Sequence, residues 1–274
     1  MNTKYIFLDI DGTLMAAGGI IPDSTKEALF LAKRNGHKLF ICTGRSKYEI
    51  YPELLHLPFD GIVGAAGAYV EIDDKVVFHR PMTESMISIL IHYLEEKELA
   101  YMLELNDRLL LSKTAVSYIH EFVQYCEENH KQYDKLFFSL GTPIPTGIDI
   151  TKLPINKIIF IRSPYNNEQI RQELQNDFTF VSDSIGLLAN SGEISEIGMN
   201  KAQGIFKVMD YYNADIQAAV SIGDGDNDIE MLKTTGISIA MGNASDSVKA
   251  VSDYITSHVE QHGIRNAFSH YSII

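Results

Sequence analysis

Over the first 80 residues, short apolar runs that end in small or acidic residues alternate with stretches of helical period. The run Tyr5-Ile6-Phe7-Leu8 predicts a strand over 4–9, Leu39-Phe40-Ile41-Cys42 a second over 38–43, and a third is expected at 61–64. Between them, a helix should start near Ser24, where Glu27 three residues on makes a capping box, and stop at Gly36. Another helix is expected at about 46–55, and a hairpin through Tyr69-Val70-Glu71-Ile72 and Lys75-Val76-Val77-Phe78 around Asp73-Asp74. Strands that alternate with helices imply a parallel sheet with right-handed crossovers.

From about residue 83 the pattern changes. Helical periods at 83–97 and 115–128 bracket strand candidates at 100–105 and 108–112, and a Pro/Gly-rich stretch from Gly141 to Pro154 separates these from a strand–helix–strand unit at 157–183. That reads as an α+β insert rather than more of the same sheet. The first pattern resumes near 200, with a helix at 200–211, the strand Ala218-Ala219-Val220-Ser221-Ile222, a helix from 226, a strand near 237–239 and a last helix from about 260. The expected architecture is α/β, with residues 1–82 and 189–274 forming the parallel-sheet core domain and 83–188 the inserted domain.

Composition narrows the function. The 274 residues are 45% hydrophobic and 22% charged, enough for one large or two modest cores. A formal net charge of −13 and the absence of any basic block speak against a nucleic-acid surface, which needs clustered Lys and Arg. No apolar run approaches a membrane span, and the first residues lack the layout of a signal peptide, so a cytoplasmic protein without membrane partners is expected. The two cysteines, Cys42 and Cys126, are too few for a disulfide framework or a zinc site, and Cys42 reads as a buried small hydrophobe.

The chemistry sits where strands of the first pattern end. Asp9-Ile10-Asp11-Gly12-Thr13 follows the first strand, and residues i and i+2 of a strand project to one side, so both carboxylates can face one ligand. Such a pair is tolerated when a cation lies between the two, or when one carboxyl keeps its proton and serves as an acid. A single Asp-Gly is ordinarily just a turn, but the four fixed residues here would arise by chance on the order of 10⁻³ times in a chain of this length. Thr43-Gly44-Arg45 ends the second strand and offers a hydroxyl and glycine amides to an anion, although an N-capping threonine would look the same. Gly223-Asp224-Gly225-Asp226-Asn227-Asp228 follows an apolar strand, and its crowded carboxylates suit Mg²⁺. An EF-hand loop is excluded, since Lys233 and Thr235 stand where later acidic ligands belong. Lys201, entering a helix after Asn200, would by itself be a surface lysine.

The order DxDGT, TGR, Lys, GDGDND, with Ala240-Met241-Gly242-Asn243-Ala244 after it, resembles the haloacid dehalogenase (HAD) superfamily of phosphohydrolases, and the insert resembles the type IIB cap of its Cof-like sugar-phosphate phosphatases. The resemblance implies a Rossmann-like parallel core with a cap. It implies hydrolysis of a small-molecule phosphate ester through an aspartyl-phosphate, with Asp9 as nucleophile and Asp11 as general acid and base. Mg²⁺ would be held by the Asp9 carboxylate, the Asp11 carbonyl and Asp224, with Asp228 a further ligand or a supporting partner, while Thr43, Gly44, Lys201 and Asn227 bind the phosphoryl group. Asp226 is a weaker candidate for the site, with shaping its loop as the alternative. Cap residues would choose the substrate, with Glu104, Asn106, Arg108 and His79 as candidates, each of a type that surfaces also carry routinely. Two positions depart from the pattern: Ala66 stands where many relatives have Asn, and Ala202 where Gly is usual.

A phosphomutase would use the same intermediate but return the phosphoryl group to a sugar, and a non-catalytic phosphosugar-binding regulator would keep the fold. Intact catalytic positions speak against the regulator. A receiver domain has no use for an insert of this length. The natural substrate, the oligomeric state and the pathway stay open at this level.

Overall fold

A computed structural model of the chain describes residues 2–131, 133, 139–182 and 190–274. Residue 183 and the expected domain boundary at 188/189 lie outside the described residues. The chain forms two compact units, one of Met1–Arg45, Ile50–His79 and Asn200–Ile274, the other of Ser46–Glu49 and Arg80–Met199. Elements are numbered in chain order through both.

The first unit contains β1 (Tyr5–Leu8), β2 (Lys38–Cys42), β3 (Gly61–Gly64), β4 (Tyr69–Ile72) and β5 (Lys75–His79), with β12 (Ala219–Gly223), β13 (Ile237–Ala240) and β14 (Tyr254–Ile255) from its last segment. They make one sheet in the order β14-β13-β12-β1-β2-β3-β4-β5, parallel from β14 to β3 and antiparallel through the β4–β5 hairpin. Leu8 of β1 stands opposite Ile222 of β12 and Ile41 of β2. Strands covered on both faces read as unbroken apolar runs. Ile6, Leu8, Leu39 and Ile41 pack on α1 (Asp23–Arg34) and α8 (Gly263–His270) through Leu29, Ala32, Ile264 and Phe268. On the other face Phe7, Phe40 and Val63 meet α6 (Lys201–Tyr211) and α7 (Ile229–Thr234) through Ile205, Val208, Met231 and Leu232.

Three helix starts differ from the sequence reading. The Ser24–Glu27 capping box does not form: α1 begins at Asp23 with Pro22 as its N-cap, and Ser24 Oγ is buried without a partner among the described residues. The helix expected at 46–55 is a 3₁₀ turn, Lys47–Glu49, followed by α2 (Pro52–Leu55), because a residue before proline is pushed out of the helical region and Tyr51 has ψ 131°. The helix expected from 226 likewise starts as a 3₁₀ turn, Asp226–Asp228, before α7.

Asp60, just ahead of β3, ties three segments of this unit together. Its Oδ1 accepts from Lys33 of α1 (2.5 Å) and Lys38 of β2 (2.7 Å), and its Oδ2 from the Leu39 N–H (2.9 Å). Burial alone would raise this carboxyl, but the two ammoniums and the N–H outweigh it and hold it below the usual range. Its contribution to stability is therefore complete above the unfolded carboxyl's pKa of about 3.9 and is lost as pH falls through the lower folded value. Leaving a buried charge unpaired costs about 3–5 kcal/mol, but with both lysines about a third exposed, Asp60→Asn should cost about 2 kcal/mol. Thermal melts at neutral and acid pH check this, and the gap between the variants should narrow below about pH 4. An unchanged gap at pH 3 would show that Asp60 titrates normally.

After β3, Ala65 and Ala66 adopt φ of 49° and 51° and Gly67 follows at 95°. Left-handed backbone costs an L-residue with a Cβ about 1–2 kcal/mol, and Asn bears it better than Ala. Ala66→Asn should raise the melting temperature by about 2 °C. A melting temperature at or below the wild type's would rule out strain at this turn.

The second unit contains α3 (Glu84–Glu96), β6 (Ala100–Glu104), β7 (Leu109–Leu111), α4 (Lys113–Glu128), β8 (Gly141–Pro143), β9 (Lys157–Ile161), α5 (Asn167–Leu174), β10 (Phe178–Ser182) and β11 (Gly192–Glu196). Its sheet runs β10-β11-β9-β6-β7-β8, antiparallel except for the β7–β8 pair. Thr83 and Ser112 cap α3 and α4 by accepting the N–H groups of Met86 and Ala115. Within the Gly141–Pro154 stretch, Gly141–Pro143 pairs with β7, and β11, beyond the expected boundary, pairs with β9 and β10.

Candidate active site

β1 lies between β12 and β2, and this is where the chain's winding changes direction, the crevice at which open α/β sheets keep their ligands. Asp9 follows β1 directly, and its N–H donates to Ile222 O of β12 (3.1 Å). Asp224 follows β12 and Thr43-Gly44 follows β2, so three strand ends deliver their polar residues to one edge.

Lys201 reaches the same place from α6. Asn200 caps that helix by accepting the Gln203 N–H (3.2 Å), and the helix start lies against the turn at Gly67, where a Cβ would stand 2.1 Å from Asn200 O. Lys201 is 1% exposed, with Nζ 2.6 Å from Asp9 Oδ1 and 2.5 Å from Asp228 Oδ1. It is therefore a buried bridge between two carboxylates and not a surface lysine. The other Asp228 oxygen accepts the N–H groups of Asp224 (2.9 Å) and Gly225 (3.0 Å).

Asp224 is held by side chains at both of its oxygens. Thr13 Oγ1 donates to its Oδ1 (2.9 Å) and Asn243 Nδ2 to its Oδ2 (3.3 Å). The turn of the first motif sits so close that a Cβ on Gly12 would fall 2.1 Å from Asp224 Oδ2, which only glycine avoids. A Cβ on Gly44 would stand 3.6 Å from Asn227 Nδ2, placing the amide beside the Thr43-Gly44 turn. Thr43 does not cap a helix: its hydroxyl accepts the Arg45 N–H (3.2 Å) within the turn, and the first helical residue is Lys47. Asp11 is more than half exposed and paired with Arg45, Nε to Oδ2 at 2.8 Å and Nη2 to Oδ1 at 3.0 Å. Asp226 faces away, accepting from Ser245 and Ser247.

The cluster's charge does not balance. One oxygen each of Asp9, Asp224 and Asp228 lies within 4.8 Å of the others, and Lys201 is the ammonium bridging Asp9 and Asp228. Burial, offset by Lys201 and reinforced by Asp228 and Asp11, pushes the Asp9 carboxyl up to about 8, and burial lifts Asp224 to about 6. Lys201 is raised because its acidic neighbours outweigh its burial, so it stays charged. Three carboxylate oxygens converging with excess negative charge are the donor set of a hard divalent cation. Cys42, beneath them, is a free buried thiol whose pKa burial pushes up.

Thus Asp9, Asp224, Asp228 and Lys201 form one cluster, Gly44 and Asn227 face each other, and Asp11 is engaged by Arg45. Thr13, Arg45 and Asn243 also stand inside the motifs, although residue type alone pointed to no role for them. Of the four cap candidates, Glu104 is buried in the second unit, bonded to Ser46 Oγ and Lys157 Nζ at 3.2 Å each, and burial raises its carboxyl well above the ordinary range. Asn106 bonds the Lys47 N–H and Asn156, Arg108 pairs with Asp107, and His79 packs edge-on against Tyr69 in the first unit.

The sequence pattern of the haloacid dehalogenase-like hydrolases matches residues 6–268. The chain belongs to that family. It is 27% identical over 283 residues to the 5-amino-6-(5-phospho-D-ribitylamino)uracil phosphatase YitU of Bacillus subtilis, covering 99% of both chains. The subclass IIB sugar phosphatase BT4131 superposes with a TM-score of 0.79 at 25% identity over 99% of this chain and all of that one. The HAD phosphatase BT1666 of Bacteroides thetaiotaomicron gives the same TM-score at 26% identity, over 99% of this chain and 96% of its own. Family and fold together make the chain a HAD phosphatase, with the α/β core and α+β insert its sequence pattern implied. Among the described residues no helix is long and apolar enough to cross a membrane.

Proposed function

We propose that this phosphatase hydrolyses the phosphate monoesters of small polyhydroxylated compounds through an aspartyl-phosphate on Asp9, with Mg²⁺ bound. The observation that carries the reading is the buried Asp9 carboxylate at the end of β1, aligned by Lys201 and sharing its pocket edge with Asp224 and Asp228. An Asp9 oxygen attacks phosphorus while the ester P–O bond breaks, and Asp11 gives its proton to the departing alkoxide. Asp11 then takes a proton from the water that attacks phosphorus and frees Asp9. To do so it must leave Arg45, its partner at rest.

The Thr43 hydroxyl, the Gly44 amide, Lys201 and Asn227 hold the phosphoryl oxygens and stabilise charge in the transition state. Asp9, the Asp11 carbonyl and Asp224 would hold the cation. Asp228, with one oxygen on Lys201 and the other on two N–H groups, positions both lysine and loop. When bound, the ion screens the negative nucleophile from the negative substrate. The sugar phosphatase BT4131 and the phosphoribitylaminouracil phosphatase YitU suggest the substrate class, and the inserted unit is proposed to supply selectivity. Two buried reduced thiols fit a cytoplasmic setting.

The test is phosphate release from a panel of hexose, pentose and pentitol phosphates, including 5-amino-6-(5-phospho-D-ribitylamino)uracil. Activity should require Mg²⁺ and vanish in chelator, with Ca²⁺ a poor substitute because its longer, looser bonds displace nucleophile and phosphorus. Full turnover in excess chelator would exclude the metal. Phosphate transfer to a second sugar without net release would indicate a mutase.

A further inference from the structure

We infer that Asn243 is a positioning residue for the metal site, fixing the Asp224 carboxylate against the turn that follows Asp11; this rests on the magnesium-dependent reading above. Asn243 lies in the loop after β13, and its amide links three other loops at the same edge of the sheet. One nitrogen, Nδ2, donates to Gly12 O (2.8 Å) and to Asp224 Oδ2 (3.3 Å), while Oδ1 accepts the Val259 N–H (3.0 Å).

The assignment of oxygen and nitrogen in this amide is forced. The Val259 N–H can only donate and the Gly12 carbonyl can only accept, so the amide has one orientation that satisfies both. Both of its hydrogens are then spent on the first and fourth motifs. Thr13 Oγ1 holds the opposite Asp224 oxygen, so the carboxylate cannot rotate without breaking a bond at each end. Each Asp224 oxygen accepts a single bond and keeps a lone pair for a cation, whereas Asp228 has one oxygen filled by two backbone N–H groups and the other bonded to Lys201. Gly12 leaves no slack, given where its missing Cβ would stand. The distance between the motif-one turn and Asp224, which sets the span of the cation site, is thus held by Asn243 on one side of the carboxylate and by Thr13 on the other.

Partners that orient a metal ligand are worth about 10–100-fold in metal affinity. The experiment is calorimetric titration of Mg²⁺ into metal-free wild type and Asn243→Ala, without substrate, at a temperature where circular dichroism shows both folded. The variant should bind Mg²⁺ at least about tenfold more weakly. A purely structural role would lower the melting point of the metal-free protein and leave the dissociation constant within twofold, and that result overturns the inference. If Asn243→Ala does not fold, Asn243→Ser takes its place: it keeps a small polar group in the loop but is too short to reach Asp224, and the same tenfold threshold applies. Wild-type protein that binds Mg²⁺ yet releases no phosphate from any ester would refute the proposed function while leaving the Asn243 comparison decisive on its own terms.

Discussion

Asp9→Asn should abolish turnover, lowering kcat by at least about three orders of magnitude, because an amide is a negligible nucleophile toward phosphorus. The change is nearly isosteric, so the sheet around β1 should survive. Stability should even rise in metal-free protein at neutral pH, since burial pushes the Asp9 carboxyl up to about 8, so folding forces a proton onto a group that is ionised in the unfolded chain, a cost that Asn does not carry. Phosphate release, paired with thermal melts in chelator, reads both effects. Trapping the phosphorylated enzyme by rapid quench, expected for wild type and absent in the variant, ties the loss to the covalent step. Turnover within tenfold of wild type would exclude Asp9 as the nucleophile.

Lys201→Met should damage folding as well as catalysis. It leaves Asp9 and Asp228 buried side by side without their ammonium, and removing one partner of a buried ion pair costs about 3–5 kcal/mol. For a domain of this size that is a fall of about 10 °C in melting temperature. The double variant Lys201→Met/Asp228→Asn should regain part of it by removing one of the stranded charges, a coupling that a thermodynamic cycle measures directly. If the two substitutions were simply additive, the Lys201–Asp228 pair would not be the source of the loss.

The parallel core was legible because its strands are buried on both faces and therefore write themselves as apolar runs, from Tyr5-Ile6-Phe7-Leu8 to Val220-Ser221-Ile222. Their ends were legible because acidic residues and glycines collect there. β8 was not, since Gly141-Thr142-Pro143 carries turn composition and is held at a sheet edge by its partner β7 rather than by its own propensity. The site shows the same divide. The candidate site residues stood out by type, whereas the Thr13 and Asn243 bonds to Asp224 join positions 211 and 19 residues apart and exist only once the loops meet. Glu104 looked available to a substrate because its type usually faces water, and only the fold reveals that Ser46 and Lys157 enclose it.

The four residues Ser46–Glu49 belong by their contacts to the inserted unit, although Arg45 before them and Ile50 after them belong to the other. The insert is thus not a module bounded by two crossings of the chain but by four. Excising 80–199 alone would strip Glu104 and Asn156 of the Ser46 hydroxyl that bonds them both. Exchange of the inserted unit with a relative, by recombination in nature or by grafting in the laboratory, would have to carry a tetrapeptide that precedes it in the sequence and begins two residues after Gly44. A new insert would then arrive already spliced to the loop proposed to hold phosphate.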